Sequence, residues 1–138
     1  MSLFTRNREL PVQSFVLKLV NNNCPELEAM IEGPRLDRRV NLTVVVLIIP
    51  VEGGRPRLGE SFTAVTKEFS NKGLAVVLDR PIGLDEVIVG FRWEGEMTFV
   101  RGKARHLNPL GGGFHQLGFK LNDIVQVCDY PELESVYF

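Results

Sequence analysis

Cysteine, histidine and tryptophan are scarce in this chain of 138 residues, numbering two, two and one. Cys24 and Cys128 stand far apart, and neither has a second ligand at metal spacing. That argues against a zinc site or a disulfide framework and fits two reduced thiols in a cytosolic protein. His106 and His115 lie among strand-forming residues without a second ligand nearby in sequence, which favours structural roles over metal binding. Long hydrophobic runs are missing too. The longest, Val44 to Ile49, is far too short to cross a bilayer, and Met1 to Arg8 holds no apolar core of a secretory leader. Charge of one sign is not in excess: 16 Lys and Arg face 17 Asp and Glu, for a formal net charge of −1. Bulk charge therefore calls for neither a nucleic acid nor an acidic membrane. No Gly-x-Ser-x-Gly elbow, Walker loop or Gly-x-Gly-x-x-Gly unit occurs. Gly111-Gly112-Gly113 precedes a strand, so it offers no helix-dipole phosphate site. No residue set points to catalysis, and none suggests a metal or a cofactor.

What is present is a 44% hydrophobic chain with 24% charged residues, enough to bury a core as one domain with an extension. Residues 1–33 form the extension. Val12, Phe15, Val16, Leu19 and Val20 fit one helical face after Pro11, although Phe15 to Val20 also fits a strand. Pro25 to Ile31 reads as a short helix stopped by Gly33 and Pro34. From Val40 the period changes to two. Val40, Leu42, Val44, Val46 and Ile48 point to one face, while the other starts wet at Asn41 and Thr43 and becomes apolar at Val45, Leu47 and Ile49. Something must cover that far end, either a helix or another subunit.

Five more strands follow: Ser61–Phe69, Leu74–Asp79, Glu86–Trp93, Glu96–His106 and Phe114–Leu121. Turns are expected at Ser70 to Gly73 and at Glu94-Gly95, with a loop from Asn108 to Gly113. The fifth strand shifts phase from Met97 and Phe99 to Val100, Gly102 and Ala104, which suggests a β-bulge. Asp123 and Gln126 suggest a capping box for a short helix through Cys128, and Pro131 to Val136 a final turn. The expected architecture is mainly β: a six-stranded antiparallel barrel over residues 34–138 with short flanking helices.

Two polar segments stand out. Arg35, Arg38 and Arg39 bring three guanidinium forks within five residues, directly before the first strand. Such forks suit phosphate and the Hoogsteen edge of guanine, and their mutual repulsion favours a dianionic partner. Arg55 and Arg57 add to a local basic cluster. Glu68-Phe69-Ser70-Asn71-Lys72-Gly73 ends the second strand and turns into the third.

Together these segments resemble the PilZ domain family of bacterial cyclic di-GMP receptors. Arg35-Leu36-Asp37-Arg38-Arg39 matches its Arg-x-x-x-Arg, and Glu68 to Gly73 is similar to its Asp/Asn-x-Ser-x-x-Gly. Gln116-Leu117-Gly118-Phe119 is similar to its glycine-bearing final strand, so the likeness spans Pro34 to Leu121. It implies a six-stranded barrel without enzymatic activity, cytoplasmic, that changes conformation or partner contacts on binding the dinucleotide. Carried over by position, Arg35 and Arg39 hold phosphates and guanine edges, and Arg38 stacks or adds a phosphate contact. Glu68 accepts from guanine, Ser70 donates to the ligand, Asn71 sits in the same turn, and Gly73 lets the backbone come close. Glu68 departs from the family's Asp or Asn by one methylene. The implied partners are cyclic di-GMP and a protein, with a homodimer as one option and neither nucleic acid nor membrane insertion. Two other readings stand beside it. One is a PilZ-like interaction module that binds no nucleotide. The other is a small RNA-binding barrel, disfavoured by the neutral charge and the lack of a surface aromatic series.

Overall fold

A computed structural model describes residues 40–70, 73–93, 95–126 and 128–136, with nothing said of the side chains of Val40 and Trp93. The expectations for residues 1–33, for Arg35, Arg38 and Arg39, and for Asn71 fall outside it. Eight strands follow in chain order: β1 Val40–Asn41, β2 Val45–Glu52, β3 Arg55–Pro56, β4 Phe62–Phe69, β5 Gly73–Leu78, β6 Glu86–Trp93, β7 Glu96–Gly111 and β8 Phe114–Val125. They pair antiparallel in the order β1-β4-β5-β8-β7-β6-β2-β3, and β2 also pairs with β4. That last pairing, Val45 to Ile48 against Phe62 to Val65, closes six strands into a barrel. Closure leaves the six with no long unpaired edge.

The barrel lumen is the main core. Leu42, Val46, Ile48, Phe69, Val76, Val89, Phe91, Val100, Leu117 and Phe119 fill it. The expected long first strand is broken in two, because β1 ends at Asn41 and β2 begins at Val45. Thr66 bridges the break. Its buried hydroxyl donates to the Leu42 carbonyl at 2.7 Å and accepts from the Val44 amide at 2.9 Å. The Thr66 amide donates to the Val44 carbonyl, again at 2.9 Å.

A second apolar cluster lies outside the lumen. Leu47, Ile49, Ile88, Phe99 and Val125 pack there beneath Leu133, with Met97, Tyr130 and Val136 around them. Of the two expected covers, a helix or another subunit, the chain supplies a short helix of its own, the 3-10 turn Pro131–Ser135. Arg101 ties this cover down. Its Nη2 donates to the Tyr130 hydroxyl at 3.0 Å, its guanidinium carbon stands 5.8 Å from the Tyr130 ring centroid, and its Nε lies 4.0 Å from Asp123.

Three further expectations are corrected. The apparent phase shift in β7 is two-sided burial: Met97 and Phe99 serve the outer cluster, while Val100 and Ala104 serve the lumen. Against β6 the register of β7 is unbroken, and the bulge beside Gly102 falls in β8, between Leu121 and Asp123; β7 itself bulges against β8 further on, between Ala104 and Leu107. Asn108 to Leu110 extend β7 instead of forming a loop, and the turn is confined to Gly112-Gly113. Asp123 caps no helix, since it pairs with Arg101 inside β8, and the described short flanking elements are two 3-10 turns.

Candidate functional site

The polar segment that ends β4 takes its shape from a bulge. Against β5, Thr66 pairs with Val76 and Glu68 with Ala75, so Lys67 is the extra residue. The bulge puts Thr66 and Phe69 into the lumen and leaves Lys67, Glu68 and Ser70 on the outer side. Outward-facing residues then line up across four strands. Asn41 of β1 pairs with Glu68, Glu68 with Ala75, and Ala75 with Gly118 of β8. Glu68 and Ser70 are half-buried and Asn41 is exposed. Lys67 Nζ donates to Gln116 Oε1 at 2.9 Å along one border of this row. Lys120, opposite Gly73, marks the other.

The two motif glycines differ. A Cβ on Gly73 would fall on the carbonyl oxygen of Phe119, so that glycine is required by the approach of β5 to β8. Its expected role toward a ligand has this packing reason beside it. A Cβ on Gly118 would meet nothing within 4 Å. There is thus room for a side chain above Gly118, whereas Ala75 beside it is buried. The Ser70 amide donates to the Gly73 carbonyl at 2.9 Å, which holds the link between β4 and β5 closed.

The described candidates Glu68, Ser70 and Gly73 thus come together on one outer edge. Arg35, Arg38, Arg39 and Asn71 lie outside the described residues. β1 starts at the residue after Arg39, and Val40 pairs with Phe69, so the chain enters the barrel beside this segment. Arg55 and Arg57 do not join it. They lie past the far end of β2, about 25 Å away at ~3.3 Å per strand residue. Arg57 is also bound to Glu52 at 3.1 Å and stands 3.9 Å from Glu60. Sequence reasoning missed Lys67, Gln116 and Ala75, because only the strand register shows that they border the motif. Among the described residues no group of three potential metal ligands occurs, and no helix is long and apolar enough to cross a membrane.

No family model matches the chain, and no curated protein matches it. Two solved structures are similar. The PilZ domain of CeSA from a cellulose synthesizing bacterium is 20% identical, with a TM-score of 0.45 over 63% of this chain and 84% of that one. The inhibitor of motility MotI/DgrA of Bacillus subtilis is 15% identical, with a TM-score of 0.51 over 78% of this chain. The match spans 54% of that protein, about half its length. At such identities the likeness speaks to fold alone, and it rests on the second structure, a PilZ-fold protein. The closed barrel of this chain has a PilZ-like fold.

Proposed function

We propose that this domain is a non-enzymatic cyclic di-GMP receptor of a bacterial cytoplasm, and that ligand binding changes its contacts with a protein partner. One observation carries the reading: β1, which directly follows the arginine segment, pairs with Glu68-Phe69. Three guanidinium groups are thereby tethered within a few residues of Glu68 and Ser70. The space above Gly118, in the same row of outward-facing residues, leaves room for a ligand near them. In this reading Arg35 and Arg39 clamp the phosphates and guanine edges, Arg38 stacks, Ser70 and Asn71 donate, and Glu68 accepts from guanine N1 and N2.

Calorimetric titration with cyclic di-GMP tests it. Binding is expected, weakened by about 1.5–3 kcal/mol in Arg35→Ala and in Arg39→Ala, the range for a hydrogen bond to a charged group. Absence of heat at high micromolar ligand overturns it.

Glu68 favours a second reading, an interaction module that has lost the nucleotide. Its carboxylate stands one methylene further from the strand than the Asp or Asn of the motif, and tolerances in such sites are tight. Under this reading Glu68→Asp creates binding that the wild type lacks. The apolar face that first suggested an interaction module supports it less, since Leu47 and Ile49 are covered by the chain's own C-terminal turn.

A further inference from the structure

Gly118 is a gap in a ring of polar side chains. Leu117 and Phe119 on either side of it point into the lumen, so Gln116, Gly118 and Lys120 share the outer face of β8. A Cβ on Gly118 would meet nothing within 4 Å. Along β8 the gap is bordered at one end by Gln116, whose side-chain oxygen accepts from Lys67 Nζ at 2.9 Å, and at the other by exposed Lys120. On the β5 side stands Ala75, with Glu68 behind it. On the β7 side a bulge sets two exposed residues, Arg105 and His106, against the one glycine. Cations therefore border the gap on three sides, and Glu68 is the one carboxylate in these rows. Of the next acids, Glu86 stands opposite Lys103 on β6, and Asp123 is engaged by Arg101. The Cα partners of Lys120 are Gly73 and Lys103, so its register brings it a motif glycine and a like charge but no acid. Among the described residues none forms an ion pair with Lys120. A like-charge pair in direct register costs stability, and an anion between the two would relieve it.

From this arrangement we infer that Lys120, Lys67 and Arg105 form an anion subsite over Gly118 that holds one of the two phosphates of the proposed dinucleotide. The inference rests on the receptor reading and adds to it residues outside both motifs. Gln116 and Lys120 stand about 13 Å apart along the strand, and the glycine midway lets a ligand lie against the backbone between them. Lysine ammonium groups act there as point charges, which suits a phosphodiester. Glu68 adjoins the same floor through Ala75, and Ser70 through Gly73, so one ligand reaches the motif and the subsite together.

Calorimetric titration with cyclic di-GMP, paired with melting temperatures, tests it. Lys120→Ala removes a charge, and Gly118→Leu fills the gap. Each is expected to weaken binding about tenfold, the size of one charge-assisted hydrogen bond. Lys120→Arg should keep the affinity, and all three variants should melt no lower than the wild type. Added salt should weaken binding less in Lys120→Ala than in the wild type. Wild-type affinity in either Lys120→Ala or Gly118→Leu overturns the subsite and leaves the receptor reading standing. A loss of affinity that comes only with a lower melting temperature overturns it too, because the residue then acts through the fold. Absence of binding by the wild type sinks the subsite and the receptor reading together.

Discussion

Thr66 sits where β1 gives way to β2, and it is the one fully buried polar side chain among the described residues. It satisfies a carbonyl and an amide that strand pairing leaves over at the break, so its hydroxyl substitutes for a missing rung of the ladder. Thr66→Val keeps the shape and strands both groups. We expect a loss of about 1–3 kcal/mol, read as a lower urea midpoint with an unchanged slope. The glycines offer a second contrast at this scale. Gly73→Ala forces a methyl into the Phe119 carbonyl and should cost about 1–3 kcal/mol or more. Gly118→Ala meets open space and should leave the melting temperature unchanged or slightly higher. A comparable loss in both variants would contradict this account. Neither distinction was legible beforehand, because a sequence shows that a glycine is present and not what stands opposite it.

At the scale of elements, the 3-10 turn Pro131–Ser135 acts through one anchor, Leu133, which seals Leu47, Ile49 and Ile88. Leu133→Ala removes that anchor, and about 2–5 kcal/mol should go with it, measured by thermal unfolding. The alternation of Val87, Val89 and Phe91 made β6 readable from its sequence, and its bounds match the observed strand. β7 was harder. Residues buried on both faces erase the period of two, so Met97-Phe99 beside Val100 looked like a slip. The end of β8 was misread for a related reason. Asp123 stands opposite Arg101 on the neighbouring strand, and a local capping pattern carries no trace of a partner so far off in sequence. Local rules served where one face met water and failed where a remote segment supplied the second cover.

Across the whole molecule, order should grade from the closed ring to the far end of β7. Backbone amides of Val46 to Ile49 lie in a strand paired on both sides, whereas those of Arg105 to Gly111 have β8 alone. Among these, hydrogen exchange should accordingly be slower in β2 than in Arg105 to Gly111, and uniform protection would contradict the described topology. The six-strand plan was legible because Gly- or Pro-bearing segments separate the successive strands and several of them, β6 above all, alternate. What stayed hidden was the adjacency of the site residues. Lys67 and Gln116 stand 49 positions apart and meet through one bulge and one register. The split first strand has a mechanical meaning as well. A pull on the chain ahead of Val40 meets first the two rungs to Phe69 and Glu68, and only then the Thr66 clasp. The domain thus carries a weak seam in front of a strong one, so that force arriving from upstream can peel the lead away while the ring behind it stays shut.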